Sequence, residues 1–477
     1  MSVIVDKLFN HDSNHIVLST FQREFRAGDL KENVRYYEDI LSEKVTKGMR
    51  IGVLLPKITD YLSLVLAINK LGAIVVPLSW QFRTSDLTTV LEHANPHIIF
   101  TIKTYNDFSF DEVCHEWARH SNEITEVFVL DEQNNWENFC YGLKKKAVEE
   151  EDMAFICFTS GSTGVPKGIV IKDEAFDFSF EVLTDFYQMK PSDQLFLNAP
   201  PTSYFGVAAL LTGVYNGSTV SFPESFDYSA IVQLMERNHC NKVMSTPSIF
   251  KAINHIAQSL NKDVLDHLEL VGLTGEKVTS SYRDEVYLHK DCQLITMYGS
   301  SETGGVMLCE ISEELVFTVY KDIDYKVKDG ELVVKSPGQF SHYYNNPSLT
   351  DDIIDSNGWV YTGDFVHEKG ARKVEIVGRK KDMIKKGGQQ VIPSEVEEVL
   401  LSHESVEQAV VLGIEHQVLG EEIVAFVVVN NTIEQKELAS YCARFIAQYK
   451  VPDQVIQVYE IPISQGKVDK LRLKQMV

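Results

Sequence analysis

The sequence predicts an α/β protein: a large N-terminal domain of layered sheets and helices with a β-rich subdomain, plus a small mobile α+β C-terminal domain. Three features carry that expectation. Short apolar runs alternate with helical patterns for most of the length. From about residue 323 the texture changes to short strands and turns. After Arg379 a basic, Gly-containing segment leads into a separate stretch of mixed periodicity. Strands alternating with helices favour parallel or mixed sheets covered by helices.

In chain order, residues 50–56 (RIGVLLP) form a buried-strand candidate, 60–71 a helix and 73–77 the next strand. The rhythm returns with strands at 194–199, 218–222, 242–245, 268–273 and 293–297. Ligands of such folds sit outside the carboxyl ends of the strands. The runs YKVKDGELVVKS, NGWVYTGD and KVEIVGR read as the β-rich subdomain. Beyond KKDMIKKGG a helix starts at Pro393, strands follow at 408–413 and 423–429, then a helix near 434–448 and a strand near 455–459. The expected domains are 1–380 and 381–477.

A chain of 477 residues exceeds one ordinary core. Its net charge of −23, from 68 acidic and 45 basic residues, argues against a nucleic-acid partner, which needs Lys and Arg to neutralise phosphates. The seven cysteines are scattered without a CxxC pair, so neither a disulfide framework nor a zinc site is expected. The first ten residues include Asp6 and no long apolar core, and no apolar run reaches the roughly 18 residues of a membrane span. No signal peptide and no integral membrane segment are expected, and the expected location is cytoplasmic. Oligomeric state is not legible.

The chemistry concentrates in a few segments. In 155–171 (FICFTSGSTGVPKGIVI) a buried strand runs into Thr159, Ser160, Gly161, Ser162, Thr163 and Gly164, with Lys167 close behind. Glycines permit close backbone approach, hydroxyls and N–H groups donate to phosphate oxygens, and the lysine adds charge. The spacing is not that of a Walker A loop, which requires GxxxxGK[ST]. Residues 297–305 (MYGSSETGG) place Glu302 behind Ser301; alone, such a Glu is more often a helix-capping residue. In 359–364 (WVYTGD), Asp364 alone fits an Asx turn.

Together with 377–391 (VGRKKDMIKKGGQQV) and 461–472 (IPISQGKVDKLR), these segments resemble, in order, the motifs of the adenylate-forming superfamily: acyl- and aryl-CoA synthetases, peptide-synthetase adenylation domains and firefly luciferase. The resemblance spans roughly residues 45 to 472. It implies ATP and Mg2+ as cofactors and a small-molecule carboxylic acid as substrate, converted to acyl-AMP and pyrophosphate. The acyl group then passes to a thiol, either coenzyme A or a carrier-protein phosphopantetheine, with an acyl or peptidyl carrier protein as partner in the second case. By resemblance, residues 159–164 and Lys167 hold phosphates. Gly275, Glu276 and Lys277 line adenine, and Tyr298 stacks on it beside Gly299. Ser301 contacts the α-phosphate and Glu302 binds the metal. Asp364 and Arg379 serve the ribose, and Lys381 is the hinge about which the C-terminal domain turns. Gly387 and Gly388 enter during the thiol step, and Lys467 bridges carboxylate and ATP. Residues 198–207 (NAPPTSYFGV) match the acyl-pocket segment, with Ser203, Tyr204 and Phe205 as its candidates.

Some positions depart from the family pattern. Val170-Ile171-Lys172-Asp173 lacks the usual His, Lys369-Gly370-Ala371 replaces an acidic, aromatic run, and the Lys467 motif lacks its Thr and is one residue short after Pro462. A catalytically impaired adenylate-binding protein is one alternative, and a luciferase-like oxygenase another. The lack of an acidic residue near Ser203 favours a neutral, largely apolar acid over an α-amino acid. FDYS at 226–229 lies past the next strand, where Asp227 is expected to cap a helix.

Overall fold

The computed structural model describes residues 10–121, 125–131, 133–142, 153–159, 166–431, 433–464 and 467–477, with the backbone alone at 464 and 467. The chain divides into two compact units. The first comprises Met1–Glu314, Tyr320–Asp324 and Lys335–Val360, and the second Leu315–Val319, Tyr325–Val334 and Tyr361–Val477.

The first unit holds two sheets layered with helices. In one, the order is Gly304–Glu310, Gln293–Ser300, Leu270–Leu273, Lys242–Ser245, Gln194–Leu197, Thr219–Ser221, Ile16–Ser19 and Glu24–Arg26. The strands from Gln293–Ser300 through Ile16–Ser19 run parallel, and their runs (QLFL, KVMS, LVGL) are apolar because both faces are covered. After Gln194–Leu197 the chain adds Thr219–Ser221 on one side and Lys242–Ser245 on the other, which creates a switch point at their carboxyl ends. Helices start there with side-chain caps: Ser203 before Tyr204–Tyr215, Asp227 before Tyr228–Arg237, and Thr246 with Pro247 before Pro247–Leu260. Asp227 accepts from the backbone N–H groups of Ser229 and Ala230, the capping role expected of it.

The second sheet runs His342–Tyr343, Lys167–Ile171, Phe155–Thr159, Ile74–Pro77, Arg50–Val53, Ile98–Ile102, Glu126–Leu130 and Trp136–Cys140. Helix Ile58–Lys70 is buried on nearly every face, as its continuous apolar run requires.

The second unit contains the strands Val316–Val319 and Lys373–Arg379 and all but one end residue each of Asp324–Lys328, Glu331–Lys335 and Val360–Gly370. Asp329 (φ 51°) and Gly330 (φ 80°) form the tight turn between two of them, as an Asp-Gly pair favours. After Lys381 come the hairpin Ile384–Lys386/Gln389–Val391, helix Pro393–Leu401, the long hairpin Val406–His416/Gly420–Val429, helix Gln435–Cys442 and strand Gln454–Gln457. The helix expected over 434–448 therefore ends at Cys442. The two apolar clusters here, one around Ile423 and Val427 and the other around Phe426, draw only on residues after Lys381.

Candidate active site

The phosphate-loop candidate is framed by a hairpin. Strand Phe155–Thr159 pairs antiparallel with Lys167–Ile171, and Thr159 stands opposite Lys167, so residues 160–166 connect two paired positions. Ser160, Gly161, Ser162, Thr163 and Gly164 lie outside the described residues.

Glu302 follows strand Gln293–Ser300 in a turn closed by side chains. Ser300 N–H donates to Thr303 Oγ1 (3.0 Å), and the N–H groups of Glu302 and Thr303 reach Ser300 Oγ (3.2 Å each). Gly299 is required here, since a Cβ would lie 2.2 Å from the Gly304 carbonyl oxygen. The Glu302 carboxylate accepts from the Tyr343 hydroxyl at 2.7 Å, and Lys167 Nζ lies 5.4 Å from the Tyr343 ring centroid, within cation–π range. One buried tyrosine thus joins the two charged candidates. Burial and the adjacent Glu302 carboxylate push its phenol well above the ordinary range, which keeps it a donor. Tyr343 gets there because His342–Tyr343 pairs with Val170 and Ile169, next to Lys167.

The adenine segment follows strand Leu270–Leu273. Thr274 Oγ1 donates to the Met297 carbonyl (3.1 Å), tying this loop to the residue before Tyr298, which is half-buried. Gly275 turns with φ 87°. Glu276 accepts from Ser248 Oγ (2.7 Å) and Ser248 N–H (3.1 Å), pinning the loop to the start of helix Pro247–Leu260, while Lys277 is exposed.

In the acyl-pocket segment, Ser203 Oγ accepts from Gly206 N–H (3.1 Å) and donates to the Pro200 carbonyl (2.9 Å) as a helix cap. Tyr204 is buried. Its hydroxyl meets Ser179 Oγ (2.7 Å) and the Gly338 carbonyl (3.0 Å), which commits the side chain to the core; Phe205 is half-buried. The helix that starts after the capping Ser buries Tyr204 and Gly206 through Val214 while Phe205 stays half-buried, an order local sequence could not rank. At the switch point Asn198 and Ser245 occupy neighbouring strand ends, since Asn198 N–H donates to the Met244 carbonyl. Each is buried, and neither Asn198 Nδ2 nor Ser245 Oγ has a hydrogen-bond partner among the described residues.

In the second unit Asp364 and Arg379 are opposite one another on the Val360–Gly370/Lys373–Arg379 hairpin, with Arg379 Nε 3.0 Å from Asp364 Oδ1. Thr362 Oγ1 accepts from Asp364 N–H (3.1 Å), and Gly363 turns with φ 73°. Lys381 lies in the short turn Lys380–Asp382, and Asp382 pairs with Lys470 at 2.8 Å. Gly387 and Gly388, with φ 55° and 79°, make the turn of the next hairpin. The backbone of Lys467 belongs to strand Lys467–Val468, paired with Ser464; its side chain lies outside the described residues.

Sequence reading missed Tyr343 and Glu331, whose carboxylate accepts from Gly363 N–H. The doublet Tyr343-Tyr344 before Asn-Asn-Pro was the only local sign of the first.

These residues fit a magnesium nucleotide. Among the described residues no basic side chain pairs with Glu302, and no group of three or more His, Cys, Asp or Glu is placed to hold a metal by protein ligands alone. A single carboxylate beside a phosphate loop is the usual protein share of a Mg2+ site, the rest being phosphate oxygens and water. Among the described residues no helix is long and apolar enough to cross a membrane.

Comparison with known proteins agrees with this chemistry. Residues 10–344 match the family described as AMP-binding enzyme, and residues 395–466 the AMP-binding enzyme C-terminal domain. The chain is 26% identical to the long-chain-fatty-acid–CoA ligase FadD13 of Mycobacterium tuberculosis, over 90% of this chain and 88% of that protein. It is also 26% identical to gramicidin S synthase 2 of Brevibacillus brevis, over 91% of this chain and 10% of that protein. The crystal structure of ATP-bound MatB from Rhodopseudomonas palustris superposes with a TM-score of 0.84 at 21% identity, covering 100% of this chain and 99% of that one, a likeness of fold. The chain belongs to the AMP-binding enzyme family, the adenylate-forming superfamily whose motifs its sequence carries in order.

Proposed function

We propose that this protein is an acyl- or aryl-CoA ligase that activates a carboxylic acid with ATP. The acid's carboxylate attacks the α-phosphorus, the bond to the β-phosphate breaks, and acyl-AMP and pyrophosphate form. A thiol then attacks the acyl carbon and AMP leaves, giving a thioester. The observation that carries the reading is the convergence of Lys167 and Glu302 on Tyr343, from segments far apart in the chain and in a family that forms adenylates. Catalysis rests on positioning and charge, as in phosphoryl transfer generally. Glu302 would hold Mg2+, which would supply charge neutralisation at the phosphates. Lys167 serves the phosphates, Asp364 and Arg379 hold the ribose, and Lys467 offsets the charge of two approaching anions.

Lys381 is the proposed pivot between an adenylating and a thioester-forming pose. The apolar clusters confined to residues beyond it support a separable body there. The proposed substrate is a neutral, largely apolar acid, in line with the absence of an acidic residue near Ser203. Coenzyme A is the proposed acceptor, since relatives of nearly full coverage are named as CoA ligases. A carrier phosphopantetheine is the second candidate, on the strength of the gramicidin S synthase match. A cytoplasmic location goes with use of ATP and coenzyme A.

The test is pyrophosphate release from Mg·ATP across fatty, aryl and amino acids, with hydroxylamine to trap acyl-AMP, followed by addition of coenzyme A or a carrier. Release with one neutral acid class and CoA-dependent thioester are the expected results. ATP binding with no release for any acid would overturn the reading in favour of a catalytically impaired protein.

A further inference from the structure

Behind the Asp364 turn lies a carboxylate outside every motif read from the sequence. Glu331 opens strand Glu331–Lys335 with its side chain 7% exposed. Its Oε1 accepts from Gly363 N–H at 2.9 Å and its Oε2 from Lys380 Nζ at 2.8 Å. Gly363 immediately precedes Asp364, and Lys380 lies between Arg379 and Lys381. A second link runs alongside, because Thr362 Oγ1 donates to the Leu332 carbonyl (2.7 Å) and accepts from Asp364 N–H.

A carboxylate withdrawn from water is stable only when its oxygens are paired; here one partner is the Gly363 N–H and the other a Lys380 side chain that is itself 59% exposed. Both partners of Glu331 are therefore bound to its position. One sits on the turn that presents Asp364, the other beside the residue proposed to pivot.

We infer that Glu331 is a positioning residue that sets the ribose-binding turn and couples ribose occupancy to the segment at Lys381. The inference rests on the adenylation reading, in which Asp364 and Arg379 meet the ribose. Ribose hydroxyls drawing on Asp364 load the Gly363 turn. That load reaches Lys380 through the Glu331 carboxylate, alongside the direct Asp364–Arg379 pair and without any contact between Glu331 and nucleotide.

Two substitutions separate the two bonds. Glu331→Gln keeps an oxygen for Gly363 N–H and removes the charge facing Lys380, while Glu331→Ala removes both. By calorimetry, Glu331→Ala is expected to weaken AMP about tenfold, the scale of one lost buried hydrogen bond, and to leave 2′,3′-dideoxy-AMP within about twofold. Glu331→Gln holds AMP within about threefold, because the acceptor remains. Trypsin cleavage after Lys380 and Lys381, followed by mass spectrometry, reads the second bond. Saturating AMP is expected to change that cleavage rate about fivefold or more in the wild type and by less than about twofold in Glu331→Gln, where only the Asp364–Arg379 link remains. Equal weakening of AMP and its dideoxy analogue in Glu331→Ala would reduce Glu331 to a general structural role and overturn the inference. So would an AMP effect on cleavage that is absent from the wild type or intact in Glu331→Gln. A wild-type protein that binds no AMP overturns the adenylation reading instead.

Discussion

Lys242 and Ser245 end one four-residue strand, and burial treats them in opposite ways. Lys242 Nζ lies 2.9 Å from Asp193 Oδ2 with the two side chains 3% and 2% exposed, and it also donates to the carbonyls of Tyr187 and Gln188. Lys242→Ala strands Asp193 as a buried charge, and the expected loss is about 3 to 5 kcal/mol in a urea-unfolding midpoint. Ser245→Ala removes a hydroxyl that has no partner among the described residues, so the same measurement is expected to move by less than about 1 kcal/mol in either direction. A large loss from Ser245→Ala would mean that the hydroxyl is satisfied by a group at the switch point. Tyr343→Phe keeps the ring under Lys167 and deletes the bond that orients Glu302. The Mg2+ concentration for half-maximal pyrophosphate release is expected to rise about tenfold with little change in melting temperature, and an unchanged Mg2+ requirement would refute the orienting role. At this scale the sequence was partly legible. Asp364, Arg379, Glu302 and Lys167 stand in motifs with fixed register. Tyr343 and Glu331 act through partners 41 and 32 residues away; beyond the Tyr343-Tyr344 doublet, nothing local distinguishes either from an ordinary strand residue.

The elements were more legible than the side chains. Continuous apolar runs announced Gln194–Leu197, Lys242–Ser245 and Leu270–Leu273 because strands covered on both faces need no alternation. Helix Pro393–Leu401 was readable from the Pro at its first position. Strand His342–Tyr343 was not, being two residues long and defined by its pairing with Lys167–Ile171. Tyr204 shows the same limit: its segment was identifiable, but only packing shows that the ring points inward. At this level the hinge and the C-terminal strand make separable predictions. Lys381→Pro is expected to slow thioester formation from pre-made acyl-AMP about a hundredfold while adenylation stays within about threefold. Lys467→Ala is expected to do the reverse, at a comparable magnitude. Stopped-flow assays of each half-reaction decide both, and equal loss in the two half-reactions would count against either role.

Over the whole molecule, the scattered cysteines give a direct check on the packing. Cys140 is exposed and the other six are buried. Burial pushes the thiols of Cys114, Cys157 and Cys240 up to about 12 and those of Cys292 and Cys442 up to about 11. Since the thiolate is the reactive form, iodoacetamide at pH 8 is expected to label one site in the native protein and seven in denaturant. Native labelling at a second site would show an opening in the corresponding core.

The place of Ile16–Ser19 in the first sheet also has a consequence for how the protein is made. One edge of that strand pairs locally with Glu24–Arg26; the other pairs with Thr219–Ser221, where Thr219 Oγ1 donates to the Ile16 carbonyl across 203 residues of chain. During synthesis at about 5–20 residues per second, its apolar Ile-Val-Leu run waits roughly 10 to 40 seconds for its neighbour to emerge. The other sheet, built from residues 50 to 171 apart from its late edge strand, has its interior pairings available before then. The nascent pair Ile16–Ser19/Glu24–Arg26 therefore carries one unpaired, sticky edge through nearly half of translation, and a holding chaperone would bind at that edge rather than at the later-made C-terminal hairpins, whose neighbouring strands emerge soon after one another.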